Sequence, residues 1–239
     1  MSLPRFFVLE HTGPVTEGSV IRLGAEATRH LKALRLRPGQ ALELVLPGGV
    51  WRCDLAVMDR DVAEARLVAG VDEEREPPVP LEGWLPLTAQ LSLWDDWLPP
   101  LVELGITRIV PVIYARSEYD ARKTAAKRER WERLILSACE QSHRNAIPVL
   151  EEAAPFEALL KVATPQRWVA YELATGEANP ALRREALAFT SGPEGGIEDR
   201  EFAALRKAGW QAVSLGRSIL RAVTTPVALL GAVQVELGR

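Results

Sequence analysis

Cysteine is scarce in this chain: Cys53 and Cys139 are the only two among 239 residues. Two thiols so far apart suggest neither a disulfide framework nor a zinc site, so a reduced, cytoplasmic setting is expected. Histidine is nearly as sparse (His11, His30 and His143), and with neither HExxH nor CxxC present no catalytic metal is expected. No apolar run reaches the roughly 20 residues of a membrane-spanning helix, and the opening MSLPRFFVLEH lacks a signal-peptide core, so a soluble protein is expected. The GxxxxGK[ST] phosphate loop, the GxGxxG dinucleotide turn and the GxSxG nucleophile elbow are all missing. Surplus positive charge is missing too. A net charge of −3 gives no bulk attraction to nucleic acid, so any such binding must come from local clusters.

Apolar residues make up 47% of the chain, enough to bury real cores. A polar, proline-bearing stretch at 72–80 (DEEREPPVP) predicts a stiff linker between a domain at 1–71 and another at 81–239. The first carries short β-like runs at Arg5–Leu9, Ser19–Leu23, Ala41–Leu46, Val50–Met58 and Ala63–Val71, with a hairpin turn at Pro47-Gly48-Gly49. A small β-barrel is expected there, interrupted by a helix at Glu26–Leu36 that bears Arg29, His30, Lys32, Arg35 and Arg37. The second alternates strands (Ile106–Tyr114, Trp168–Tyr171, Ala188–Ser191, Gln211–Leu215) with helices (Asp95–Leu104, Arg122–Ser142, Pro155–Val162, Glu198–Ala208, Pro226–Leu237). That alternation predicts an α/β fold: a mostly parallel sheet with helices on both faces.

Two glycine-bearing turns stand close together near the carboxyl end. Gly192-Pro193-Glu194-Gly195-Gly196 follows an apolar run ending at Ser191, and Leu215-Gly216-Arg217 leads through Ser218-Ile219-Leu220-Arg221 to the last helix, with Thr225 expected as N-cap and Pro226 at N1. Either turn alone is ordinary αβ punctuation. Together they frame a ligand site where bare backbone approaches closely, and the absence of a phosphate cradle suits an adenosine compound without phosphates.

The helix from Arg122 buries Trp131, Leu134, Ile135 and Ala138 at helical spacing. Its opposite face carries Arg122, Lys123, Lys127, Arg128, Arg130 and Arg133, which reads either as a solvated surface or as a phosphate-binding one. At its end, Glu140, Gln141, Arg144 and Asn145 form a dense polar group that reads either as a helix cap or as a reader of a base edge. His143 reads as a local hydrogen-bonding residue rather than a general base.

Taken together, GPEGG at 192–196, VSLG at 213–216, ILR at 219–221 and EQSHRN at 140–145 resemble the RsmE family of SPOUT methyltransferases, which methylate N3 of a uridine in 16S ribosomal RNA. The resemblance runs nearly end to end. Arg29-His30-Leu31 through Leu34-Arg35 is similar to the basic helix of that family's PUA-like domain, and Glu103–Ile106, Arg108–Pro111 and Arg116-Ser117 to its first strand–helix repeat. The resemblance implies a trefoil-knotted catalytic domain, one of the rare exceptions to unknotted connections, and a homodimer acting on 16S rRNA or the assembled small subunit. It implies that S-adenosylmethionine is held by Leu173, Gly192, Pro193, Glu194, Gly195, Gly196, Leu215, Gly216, Ile219, Leu220 and Arg221. It implies RNA contacts at Arg29, His30, Lys32, Arg35, Arg116, Gln141, Arg144 and Asn145. For the chemistry, Arg221 or Arg144 is expected to stabilise the developing uracil anion and Glu140 to take its proton.

The chain departs from the family pattern at Gln90–Leu93, where a KGDR-like segment is usual, at Pro99-Pro100 in place of a Gln-Lys pair, at Arg221–Thr225 in place of an RTETA-like run, and at His143 and Ala146. Other readings stay open. One is an rRNA-binding or assembly protein with an inactive methyltransferase fold; another is a 2′-O-ribose methyltransferase of the same superfamily; the last in rank is a generic nucleotide-binding enzyme.

Overall fold

Strand-forming residues fill the first 71 positions in an alternating in-and-out pattern, and in the computed structural model, which describes residues 3–118, 120–172, 174 and 179–238, they form a five-stranded sheet. The strands are β1 (Arg5–Phe7), β2 (Val20–Leu23), β3 (Ala41–Leu46), β4 (Gly49–Met58) and β5 (Ala63–Val71), in the order β1-β3-β4-β5-β2. β3 and β4 form the expected hairpin, with Leu46 paired to Gly49 across a turn in which Gly48 has φ +96°. The expected small barrel is a sheet of open order among the described residues, its end strands β1 and β2 not paired with each other. Inward residues Phe6, Ile21, Leu23, Leu42, Leu44, Leu46, Leu55 and Leu67 join Leu31 of helix α1 (Ala25–Ala33) in one core. The segment Cys139–Ala146 groups with residues 1–75 in this unit, and residues 76–138 and 147–239 form the other.

The second unit is built on a parallel sheet of β6 (Leu81–Pro86), β7 (Arg108–Ile113), β8 (Val149–Leu150), β9 (Ala154–Pro155), β10 (Gln166–Ala170), β11 (Leu187–Ser191) and β12 (Gln211–Val213). The order is β12-β10-β11-β6-β7-β8, with β9 also on β7. The helices are α2 (Leu93–Glu103), α3 (Ala121–Ser142), α4 (Asp199–Lys207) and α5 (Thr225–Leu237). β6, β8 and β9 go beyond the strands expected from the sequence. The segment expected to be helical at Pro155–Val162 is a 3-10 helix at Phe156–Lys161, its proline at the N-cap. At the last helix Thr224, not Thr225, is the N-cap, and Thr225 instead donates its hydroxyl to the Arg221 carbonyl.

Trp94 of α2 stacks on Trp131 of α3 with ring centroids 4.8 Å apart, and Trp97 donates its indole N–H to the Val223 carbonyl at 2.9 Å. A buried hydroxyl chain ties three adjacent strands near their carboxyl ends: Tyr114 Oη lies 2.7 Å from Thr190 Oγ1, which donates to the Trp84 carbonyl. Burial pushes the Tyr114 phenol well above its ordinary range, so it is a neutral donor here. Thr190→Val keeps the shape and strands the Tyr114 hydroxyl, and is expected to cost about 1–3 kcal/mol in a urea melt. Tyr114→Phe on that background is expected to recover part of the loss.

Candidate active site

Parallel strands point their carboxyl ends the same way, and the loops leaving them build the crevice where α/β sheets hold ligands. Here the loops after β10, β11 and β12 converge. A cleft of about 560 Å³ is lined by Gly192, Pro193, Glu194, Gly195 and Gly196 from the first glycine turn and by Ile219, Leu220 and Arg221 from the second segment. Leu215 and Gly216 line a smaller recess of about 60 Å³ that shares Ala170, Glu172, Ile219 and Leu220 with the cleft. The first turn and the segment that follows the second thus share the cleft, and the second turn itself lines the adjoining recess. Leu173 lies outside the described residues.

The glycines have separate reasons. A Cβ on Gly192 would sit 3.0 Å from Ile197 Cγ1 and 3.1 Å from its backbone nitrogen, so a side chain there collides with the loop's own return. Gly216 has open space around it but φ +118°, a conformation that L side chains rarely adopt.

Several lining residues carried no signal of their own in the sequence. Ala170, Glu172 and Ser191 line the cleft because they follow or end β10 and β11, and the strand-end rule is the signal that points to them. The Ser191 hydroxyl is buried without a hydrogen-bond partner among the described residues. Asn179 was not singled out either. It clamps the second turn from outside, its Nδ2 donating to the Ser214 carbonyl at 2.9 Å and its Oδ1 accepting from the Ser214 N–H at 2.8 Å.

The polar cluster at the end of α3 belongs to the first unit. Arg5, 2% exposed, donates to Glu43, to the carbonyls of His143 and Arg144, and to Asn145 Oδ1. The Asn145 amide also donates to the Glu73 carbonyl, so it is engaged at both ends. Arg144 is 3% exposed and Gln141 is open to solvent. His143 adopts φ +59° and places Nδ1 3.5 Å from Glu43. Glu140 lies 3.4 Å from His30 Nδ1 and accepts from the Phe7 N–H; burial pushes its carboxyl up to about 7, nearby Glu26 adding a smaller push.

Of the remaining basic candidates, Arg29 and Arg35 are exposed, and Lys32 donates to the Arg60 carbonyl. The basic face of α3 is largely spent on carboxylates: Lys127 and Arg130 on Asp95, Arg128 on Glu132 and Glu152, Arg133 on Glu129, and Lys123 on Asp120. That outcome favours the solvated-surface reading of this face. Arg116 donates to the Gly195 carbonyl. Among the described residues no three His, Cys, Asp or Glu side chains converge where they could hold a metal ion, and no helix is long and apolar enough to cross a membrane.

Comparison with known proteins agrees with this geometry. The RNA methyltransferase domain family matches residues 88–234. The chain is 32% identical to the ribosomal RNA small subunit methyltransferase E of Synechocystis sp., covering 93% of this chain and 75% of that protein. It is 26% identical to the Bacillus subtilis protein of the same name over 99% of each. Among solved structures, a ribosomal RNA small subunit methyltransferase E from Neisseria gonorrhoeae bound to S-adenosyl methionine superposes with a TM-score of 0.84 at 32% identity, covering 98% of this chain and 97% of that one. The chain belongs to the ribosomal RNA small subunit methyltransferase E family, within the RNA methyltransferase domain family.

Proposed function

We propose that this protein is an S-adenosylmethionine-dependent methyltransferase that modifies N3 of a uridine in 16S ribosomal RNA, with the assembled small subunit or its RNA as substrate. The observation that carries the reading is a 560 Å³ cleft lined by the first glycine turn and by Ile219-Leu220-Arg221, continuous through shared residues with the recess that the second turn lines, a volume within the usual range for small-molecule sites. The residues fit the donor. Glycine backbone lines one wall, apolar Ile219 and Leu220 the other, and Glu172 and Glu194 are the acidic members of the lining, a charge that suits a cationic sulfonium rather than phosphates. S-adenosylmethionine, when bound, supplies an electrophilic methyl group.

What the chain must supply is alignment and a route for the N3 proton, because neutral uracil N3 is a poor nucleophile while that proton is in place. Arg221, at the cleft, is the candidate for stabilising the anion that forms on the uracil oxygens. Glu140 is the candidate proton acceptor, and Gln141, Arg144 and Asn145 with Arg29, His30, Lys32 and Arg35 are the candidate RNA contacts. The family likeness supports a PUA-like role for the first unit, a trefoil knot in the second and a cytoplasmic setting. A homodimer fits α5, whose TPVALLGAVQVEL sequence is apolar around most of its circumference and leaves Val235 59% exposed.

The test is to incubate the protein with labelled S-adenosylmethionine and small subunits from a strain lacking this modification, then map the label. Label on uracil N3 supports the proposal; label on ribose assigns the 2′-O reaction instead. Donor binding without any transfer assigns an RNA-binding or assembly protein.

The Glu140 carboxyl yields a pH prediction. A base titrating near 7 acts only when ionised, so kcat/KM is expected to rise through pH 7 and level off above 8, and Glu140→Gln is expected to flatten that rise. Stability moves the opposite way. The folded pKa lies above the unfolded value of 4.5, so folding favours the protonated form, and stability falls as pH rises from about 4.5 through 7. Above pH 8, Glu140→Gln is expected to recover at most about 3 kcal/mol relative to wild type, and near pH 4 nothing, read from urea midpoints across pH.

A further inference from the structure

The first glycine turn is held from outside the cleft by the loop after β7, whose Arg116 the family resemblance would instead place on RNA. The segment after β7 forms a tight hook in which Ser117 N–H donates to the Tyr114 carbonyl and Tyr114 N–H to Ser117 Oγ. Its next residue, Ala115, donates its backbone N–H to Glu201 Oε1 at 2.8 Å. Glu201 is only 5% exposed, and its other oxygen accepts from the Glu198 N–H at 3.0 Å, closing the capping box of α4. One buried carboxylate therefore joins the hook to the helix that follows the glycine turn. Arg116 completes the bridge. Its Nη1 donates to the Gly195 carbonyl, and its Nε lies 3.8 Å from Glu198 Oε1. Its aliphatic stem lies so close that a Cβ on Gly195 would be 3.2 Å from both Arg116 Cβ and Cδ.

We propose that Arg116 is a positioning residue for the methyl donor: with Glu201 it latches the 192–196 turn into the shape that presents its backbone to the cleft. The inference rests on the donor reading above. Glycines are what let this turn approach a ligand, and at Gly195 and Gly196 they leave it no side chain with which to hold its place. Pro193 is buried and its carbonyl accepts from the Gly196 N–H, which closes the turn from within; at Gly195 the hold comes from the neighbouring loop, and a planar guanidinium anchored at two points on the turn and helix provides it better than a single ammonium. Glu198 has a second cation, Arg200, on its other oxygen at 2.6 Å, and among the described residues Arg200 makes no hydrogen bond or ion pair with the turn.

The test is calorimetry with S-adenosylmethionine, together with steady-state kinetics on small subunits, for wild type, Arg116→Ala, Arg116→Lys and Arg200→Ala. Arg116→Ala is expected to raise both the Kd and the KM for the donor about tenfold, while kcat at saturating donor and the KM for the subunit change less than threefold. Arg116→Lys is expected to recover part of the affinity, and Arg200→Ala to bind like wild type. Gly195→Ala should weaken binding in the wild-type background, and less so when combined with Arg116→Ala, because the Cδ contact is gone and only the Cβ contact remains. Equal donor affinity for wild type and Arg116→Ala would overturn the latch, as would equal losses in Arg116→Ala and Arg200→Ala, which would make the effect one of charge. A rise confined to the KM for the subunit would also overturn it and make Arg116 an RNA contact. A wild-type protein that binds no donor at all would instead remove the donor reading on which the latch rests.

Discussion

Arg5→Met is expected to lower the unfolding free energy by about 3–5 kcal/mol, the usual range for breaking one side of a buried ion pair. The arginine is 2% exposed and its whole fork is in use. Nε and Nη2 reach Glu43 Oε2 at 2.9 and 2.8 Å, while Nη1 serves the carbonyls of His143 and Arg144 and the Asn145 side chain. Removing it leaves a largely buried carboxylate and several acceptors without their donor, so the penalty is desolvation that nothing repays rather than the loss of one contact. Arg5→Lys keeps the charge but has no planar fork, and is expected to recover only a minor part. Arg5→Met with Glu43→Leu is expected to fall closer to wild type than Arg5→Met alone, because no unpaired charge remains. Urea midpoints with an unchanged slope measure all three. A single variant within about 1 kcal/mol of wild type would show that water reaches this site and solvates Glu43.

That residue also marks the limit of what the sequence discloses. Strands whose one face is buried were legible, because alternation and the Pro47-Gly48-Gly49 turn fix both their span and their register: Ala41–Leu46 and Ala63–Val71 are found at the expected positions. The α3 stripe of Trp131, Ile135 and Ala138 was legible for the same reason at helical period. β6 was not. It lies between β11 and β7, nearly all of it is buried, and its LEGWLP carries glycine and proline, so it shows neither alternation nor a strong β composition. β8 and β9, with two residues each, are too short to have a period.

The site divides along the same line. The glycine turns were legible because backbone chemistry is written in the glycines themselves. The 140–145 cluster was legible only as polar and dense. What decides its contacts is Arg5, about 138 residues away in sequence, and an arginine at the start of a strand gives no sign that it is buried. The basic face of α3 shows the complementary failure: its cations are visible in the sequence, but the Asp95 and Glu152 that neutralise them come from other parts of the chain.

Arg221→Ala is expected to slow methyl transfer about 10²–10³-fold at saturating donor and subunit, the scale on which single anion-stabilising groups act. The position of this residue is set by its backbone, whose carbonyl accepts from the N–H groups of Thr224 and Thr225 and from the Thr225 hydroxyl at the start of α5. Its side chain is exposed at the cleft and makes no ion pair among the described residues, so its charge is not already spent on a protein carboxylate. Arg144 offers no such opening, being 3% exposed within the first unit. In the proposed N3 reaction negative charge would spread onto the flanking uracil oxygens as the proton leaves, and a guanidinium facing them would lower that barrier without binding the neutral base more tightly. The loss therefore belongs in kcat, and a change confined to the donor KM would reassign Arg221 to cofactor binding. Acidity provides an independent check. In small subunits whose uridines are replaced by 5-fluorouridine, N3–H is more acidic and the anion needs less help, so the gap between wild type and Arg221→Ala is expected to narrow. An unchanged gap would mean that Arg221 aligns the base rather than stabilising its charge.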